Sequence, residues 1–170
     1  MNIISAILNR RSIRSYQSKP VEKEKIEAIL HSAFYAPSAM NIKPCELVVV
    51  ENAELIQQLG SIKIGADHVK QASVVIVVVA ENVKHWLEDS SLVASHIYLE
   101  TTNQGLGTCW THVHDSQTAD GQNCEELVKE LLSLSAEKRV LCLMPIGYPA
   151  EQKEPHSENE YDEKKVTWIK

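Results

Sequence analysis

The chain has 170 residues, with 17 Lys and Arg against 23 Asp and Glu, giving a formal charge of −6. That length fits one domain with one substantial hydrophobic core, and the acidic balance argues against an extended nucleic-acid surface or a polybasic membrane contact. The longest apolar run, Val74–Ala80, is far too short to cross a bilayer, and no basic stretch, apolar segment and cleavage site open the chain, so a cytoplasmic protein is expected.

Ile3, Ile4, Ile7 and Leu8 recur at helical spacing and predict a short N-terminal helix that anchors to the core and delivers Arg10, Arg11 and Arg14 at its end. A second helix is predicted to start at Pro20, a good first-turn residue, to carry Val21, Ile26, Ile29, Leu30 and Ala33 on one face, and to stop before Pro37. Pro37, Ser38, Ala39, Met40 and Asn41 have turn chemistry and predict an exposed loop.

Residues 47–50 and 74–80 read as buried strands, with helices at 53–59 and near 67–71. Asp89 or Ser90 could cap a long helix running to about residue 103, with Gly105 at its exit. A strand over 107–113, a polar loop over 115–123, a helix over 125–134 and a last strand over 139–146, closed by Gly147-Tyr148-Pro149, complete the expectation. Helices and strands intermingle without strict βαβ regularity, which favours an α+β three-layer domain over residues 1–150. Residues 151–170 turn highly charged and then end in Val166, Trp168 and Ile169, which want a surface, either on their own domain or on another.

Arg10-Arg11-Ser12-Ile13-Arg14 places three guanidinium groups and a hydroxyl within five residues, a set that offers bidentate donors to a phosphate dianion. The competing reading is a solvated surface cluster. No G-x-x-x-x-G-K-[ST] or strand-G-x-G-x-x-G-helix unit is present, and Gly105-Leu106-Gly107 reads as a helix C-cap, so any bound phosphate falls to the arginines. Cys45, Cys109, Cys124 and Cys142 have no C-x-x-C or metal-type spacing and read as free, mostly buried thiols. His112 and His114 share a strand face but lack a third metal ligand. With no G-x-S-x-G or H-E-x-x-H motif either, the chemistry is expected to come from an organic cofactor.

Residues 3–16, containing Arg10-Arg11-Ser12-Ile13-Arg14-Ser15-Tyr16, followed by Ala36-Pro37-Ser38-Ala39-Met40-Asn41-Ile42-Lys43-Pro44, closely resemble the two N-terminal motifs of the nitroreductase family. Residues 89–105, Gly105-Leu106-Gly107-Thr108-Cys109-Trp110 and Ile146-Gly147-Tyr148-Pro149 resemble its central helix, flavin-edge strand and last core strand. The resemblance implies a three-layer α+β fold with a mixed, mainly antiparallel sheet, an obligate-type homodimer, and two FMN sites at the subunit interface. It further implies that Arg10, Ser12 and Arg14, assisted by Arg11, hold the FMN phosphate, ribityl chain and pyrimidine edge. By the same resemblance Pro37, Ser38, Ala39, Met40 and Asn41 pack on the isoalloxazine from the partner subunit, and Cys109, Trp110, Thr111 and His112 pass the flavin ring with backbone N–H donors. Lys165 is the candidate for the family's basic residue near the C-terminus, and residues 151–170 would pack on the partner.

Lys43 and Cys45 stand where the family often has Gln and Trp, and the chain lacks the long helical excursion that covers the pocket in larger relatives. The implied function is ping-pong transfer of electrons from NADH or NADPH through FMN N5 to a nitroaromatic, quinone or similar small-molecule acceptor, with no catalytic side chain. The rivals are a same-fold enzyme of other flavin chemistry, such as reductive dehalogenation or flavin fragmentation, and a non-turnover FMN sensor or store.

Overall fold

The computed structural model describes residues 3–170. A five-stranded sheet forms the middle layer: β1 (Cys45–Val50), β2 (Val74–Ala80), β5 (Arg139–Gly147) and β3 (Gly107–Thr108) in that order, with β4 (Thr111–His112) also on β5. Every ladder between these strands is antiparallel, and the one parallel contact among the described residues is the isolated bridge between Ser12 and Thr108.

The core follows from β2, whose seven residues are all buried. Because side chains alternate across a strand, Val74, Ile76, Val78 and Ala80 enter one cluster with Ile26, Ile29 and Ala33 of α2 (Lys23–Phe34) and Val93, Ala94 and Ile97 of α4 (Trp86–Asn103). Val75, Val77 and Val79 enter a second cluster with Ile56 and Leu59 of α3 (Ala53–Leu59) and Val128 of α5 (Cys124–Leu131). A strand buried on both faces reads as a continuous apolar run rather than an alternating one, and the three expected layers result.

Several boundaries differ from the sequence expectation, each for a local reason. The helix α2 begins at Lys23 rather than Pro20, because Lys19 O accepts from Ser73 Oγ (2.7 Å) and Glu22 accepts from the Tyr148 hydroxyl (2.6 Å), which keeps residues 19–22 extended. The strand β1 starts two residues early, at Cys45. The segment Asp67–Gln71 is a 3-10 turn rather than an α-helix. The helix α5 spans Cys124–Leu131 under an Asn123 cap and stops short of residue 134, with Ser133 at a φ of 53°. The helix α4 starts at Trp86, and Asp89 is a buried residue of its first turn instead of its cap. The helix α1 (Ile3–Asn9) forms as its spacing predicts, but it turns Ile3, Ile4 and Ile7 outward and buries Ala6.

The strand expected over 107–113 is broken into β3 and β4, although one register runs through both, from Gly107 opposite Gly147 to His112 opposite Cys142. Between them the Trp110 N–H leaves the sheet and donates to Tyr98 Oη of α4 (2.7 Å). All four cysteines are free, and Cys45 is the one that is not fully buried. Among the described residues no helix is long and apolar enough to cross a membrane.

Residues 151–156 lie back on the N-terminal arm, with the His156 N–H donating to Leu8 O (2.8 Å). Two 3-10 turns follow, Glu158–Glu160 and Glu163–Lys165. Beyond them Trp168 and Ile169 are 79% and 95% exposed.

A charged knot ties α5 to β5. Glu125, nearly buried, accepts from Arg139 Nε (2.8 Å) and from the Val140 N–H (2.8 Å), and His114 Nδ1 lies 3.3 Å away. Burial alone would raise the Glu125 carboxyl, but the bonds from Arg139, Val140 and His114 outweigh it and hold the group below the usual 4.5. A carboxylate with a depressed folded-state pKa adds stability that is complete above the unfolded value and is lost as pH falls through the folded one. Glu125→Gln should therefore cost about 1–3 kcal/mol at pH 7, since it weakens charge-assisted bonds and leaves the partly exposed Arg139 without its carboxylate. The gap in urea midpoint between variant and parent should close below about pH 4.5, and a gap unchanged from pH 7 to pH 3 would refute the assignment.

Candidate functional site

The arm that follows α1 is laid across the end of the sheet. Ser12 forms its bridge with Thr108 and Tyr16 a bridge with Pro149, supported by Ile13 N–H to Thr108 O (2.9 Å), Gln17 N–H to Tyr148 O (2.8 Å) and Ala150 N–H to Ser15 O (2.9 Å). Two glycines admit this approach. A Cβ on Gly107 would stand 2.8 Å from carbons of Ile13, and one on Gly147 would stand 2.9 Å from the Tyr16 ring. With Ile13 and Tyr16 buried, Ser12 is half-buried and Arg14 exposed.

The guanidinium groups of Arg10 and Arg11 are held by an imidazole and a carbonyl. Arg10 Nη2 lies 3.0 Å from His156 Nε2, and Arg11 Nη1 donates to Glu154 O (2.5 Å). Lys153 Nζ donates to Ser12 O (2.5 Å). The Arg14 N–H donates to a Glu151 carboxylate oxygen (2.5 Å), and that bond is the main cause holding the Glu151 carboxyl below its usual value. Among the described residues no carboxylate lies within 4 Å of any of these three guanidinium groups. In a chain of net charge −6, three cations left without a carboxylate partner form a ready anion site.

The broken strand lies beside the arm. Tyr98 Oη accepts from the Trp110 N–H and sits 3.2 Å from Ser12 Oγ, while Arg10 lies over the Tyr98 ring at 5.2 Å from its centre. Tyr98 thus joins the arginine arm, the strand edge and the central helix. Thr111, buried, lies 2.9 Å from His68 Nε2 through its hydroxyl. The Trp110 indole N–H donates to His112 Nδ1 (3.2 Å), so the proton of a neutral His112 sits on Nε2. Burial lowers the His112 pKa, helped by Lys63 and His114. Burial also lowers that of His68, with the Gly65 carbonyl opposing and Arg14 reinforcing. At neutral pH His68 and His112 therefore add little positive charge beside that of the arginines, Lys153 and Lys63, whose ammonium donates to His112 O (3.1 Å).

The second predicted motif lies elsewhere. Ser38 begins a 3-10 turn over Ala39–Asn41, and the Ala39 N–H donates to Asp89 Oδ1 (2.8 Å) in the first turn of α4. Met40, Asn41 and Lys43 all have left-handed backbone, at φ of 51°, 56° and 53°. Asn tolerates this region, whereas Met and Lys are strained in it. Asp89 and Tyr98 are nine residues apart on one helix, so the two motifs are separated by about 13 Å along its axis. Among the described residues no hydrogen bond or ion pair joins 37–41 to 10–14.

Of the residues singled out in the sequence, Arg10, Ser12 and Trp110 meet through Tyr98, and Cys109, Thr111 and His112 share their strand. Pro37, Ser38, Ala39, Met40 and Asn41 do not reach that group within one chain. Lys165 is exposed, with Asp162 at 3.8 Å, and the basic groups that the tail does bring to the arm are Lys153 and His156. Sequence reasoning missed Tyr98, His68 and Lys63, which carry no motif. Lys153 and His156 lay in a stretch read only as charged.

The model of the nitroreductase family matches residues 7–86 and 61–148. The chain belongs to the nitroreductase family. An FMN-dependent nitroreductase of Clostridium difficile superposes with a TM-score of 0.94 at 33% identity, covering 98% of this chain and 99% of that one. A protein of Methanothermobacter thermautotrophicus named for NADH dehydrogenase and NAD(P)H nitroreductase activity is 32% identical over 156 residues, 89% of this chain and 79% of that protein. A family structure from Desulfovibrio desulfuricans in complex with FMN shares the fold, with a TM-score of 0.76 at 22% identity. Membership places this chain among oxidoreductases.

In this nitroreductase-family chain the contact between Ala39 and Asp89 ties the strained turn to α4, while the Lys43 N–H bond to Ser38 Oγ (2.8 Å) closes it from within. Asp89→Ala should cost about 1–3 kcal/mol, the usual effect of losing a charge-assisted bond to a buried partner. It should also speed amide hydrogen exchange across residues 38–43 while leaving β2 protected. Unchanged exchange there would show that the turn is fixed by something else.

Proposed function

We propose that this chain is an FMN-dependent oxidoreductase that passes electrons from NADH or NADPH to a nitroaromatic, quinone or similar small acceptor. The observation that carries the reading is the cluster Arg10, Arg11 and Arg14, held against a strand edge with no carboxylate partner among the described residues. Planar bidentate donors suit a phosphate monoester, and the donor set therefore fits FMN. Bound FMN would supply two-electron chemistry at N5. Arg10, Ser12 and Arg14, with Arg11 beside them, hold its phosphate, ribityl chain and pyrimidine edge. Cys109, Trp110, Thr111 and His112 line the ring, and Trp110 does so without its own N–H, which Tyr98 already engages.

The chain works as a homodimer in this reading. Its turn at 37–41 shares no hydrogen bond or ion pair with its own arginines among the described residues, and in this reading it closes over the partner's ring and excludes water there. The apolar surface is consistent with pairing: Ile3, Ile4 and Ile7 of α1, Met40 at 81% exposure, and Trp168 and Ile169 of the tail all lie open in one chain. Among the described residues the strand β1 pairs with β2 alone and leaves its other edge unpaired, and residues 151–170, having crossed the chain's own arm, end on the partner.

FMN titration of the purified protein should show saturable binding at one flavin per chain, and NADH or NADPH added under argon should bleach the flavin band. Arg14→Ala should weaken FMN at least about 10-fold, as expected for a charge-assisted bond, and unchanged affinity would remove the phosphate assignment. Steady-state turnover should give parallel double-reciprocal lines. Intersecting lines would exclude alternate occupation of one open face by donor and acceptor. Sedimentation should show a dimer, and a monomer that binds and turns over FMN would contradict the shared site.

A further inference from the structure

Tyr98 makes three contacts that belong together. Its Oη receives the Trp110 N–H at 2.7 Å, lies 3.2 Å from Ser12 Oγ, and its ring stands under Arg10. A backbone N–H only donates, so the oxygen of Tyr98 is an acceptor toward Trp110 and its own O–H remains to be placed. Among the described residues Ser12 Oγ is its one available acceptor. A phenol is also the stronger donor of the two hydroxyls, and burial pushes the Tyr98 pKa further up, so the proton stays on the phenol throughout the working pH range. Ser12 Oγ then accepts from Tyr98, which leaves the Ser12 proton for another acceptor.

We infer that Tyr98 is a positioning residue that forms an ordered relay, Trp110 N–H to Tyr98 O–H to Ser12 O–H, and aims the Ser12 proton at an oxygen of the bound cofactor. The inference rests on the FMN reading of the site and deepens it, since it says which way the serine donates and why. Chains of like-directed hydrogen bonds polarise one another, so the terminal donor is stronger than a free serine hydroxyl. The relay also fixes the distance between the arginine arm and the strand edge. Phosphate-side and ring-side contacts are set by one side chain, and the proposed role needs no proton transfer to or from Tyr98.

The test is a double-mutant cycle read by FMN dissociation constant, with no turnover involved. Tyr98→Phe keeps the ring and the Arg10 contact but removes both hydrogen bonds, and it should weaken FMN about 10-fold. In a Ser12→Ala background the same change should cost no more than about 2-fold, because the relay then has no terminal donor, whereas in an Arg14→Ala background the full 10-fold loss should persist. Equal losses in all three backgrounds would mean that Tyr98 is merely structural and would overturn the relay.

If Tyr98→Phe does not fold, Ser12→Thr and Ser12→Ala decide the matter. Threonine keeps a hydroxyl that both accepts and donates and should retain affinity within about 3-fold, while alanine should lose about 10-fold. Equal behaviour of the two would overturn the proposal. In the cofactor-free protein, Trp110 amide exchange should be protected by Tyr98, and this does not depend on flavin. Wild-type protein that protects Trp110 but ignores FMN defeats the flavin reading and with it the aim of the relay. Wild-type protein that binds FMN with the affinity of its Tyr98→Phe variant defeats the relay alone.

Discussion

The site depends on the absence of two side chains. Gly107 and Gly147 face each other in the register of β3 and β5, and they are where Ile13 and Tyr16 lie on the sheet. The atoms a Cβ would meet are the branched carbons of Ile13 and the ring of Tyr16, neither of which can fold away as the end of a lysine could. With the glycines in place, burial of those two side chains contributes about 1.5–3 kcal/mol each, and the Tyr16 hydroxyl donates to Ile13 O (2.6 Å) to hold the arm in shape. The arginines are carried along by this packing. Their position is thus set by apolar contact at the next residues, so no carboxylate is required to hold them.

The break in the strand at Cys109 and Trp110 is the second consequence of the same region. On an antiparallel edge strand alternate residues turn their N–H and C=O away from the partner, and Thr108 O and His112 O, which accept from the Ile13 N–H and from Lys63, show that residues 108, 110 and 112 are the ones facing away from β5. Trp110 gives its outward N–H to α4, and the central helix becomes attached to the strand edge through one phenol as well as through apolar packing. A backbone N–H at a covered sheet edge is thereby satisfied without drawing on the ladder, at the corner where arm, strand and helix meet.

Much of the fold was legible. Val74–Ala80 is uniformly apolar and, up to Ala80, β-branched because both faces are covered, and Ala53–Leu59 has a clean Asn52 cap, with Asn52 Oδ1 accepting from the Leu55 N–H (3.0 Å). Periodicity failed where it gave an element but no partner. The outward face of α1 is as regular as a core face, and nothing in the spacing of Ile3, Ile4 and Ile7 says which it is. Capping residues failed at α4, since Asp89 has the chemistry of a cap but uses it on Ala39, fifty residues away in sequence. Gly107 was legible as a glycine but not as a place of close approach, because the residue it accommodates lies across the chain. Of the candidate site, the arginine cluster was visible from its density in an acidic chain. Tyr98 was not, because a single tyrosine in a helix carries no pattern.

The geometry of α4 gives the proposed dimer its most specific argument. One end of the helix holds the strained turn through Asp89, and the other holds the arginine arm through Tyr98, so each chain carries two unlike halves about 13 Å apart on one rod. A two-fold axis passing beside α4 at its mid-height would lay the helix antiparallel to its copy, and it would then set the Asp89 end of one against the Tyr98 end of the other, twice. In such an isologous pair the same patch serves both subunits, and the turn that costs strain at Met40 and Lys43 would recover it by covering a flavin that its own chain cannot reach.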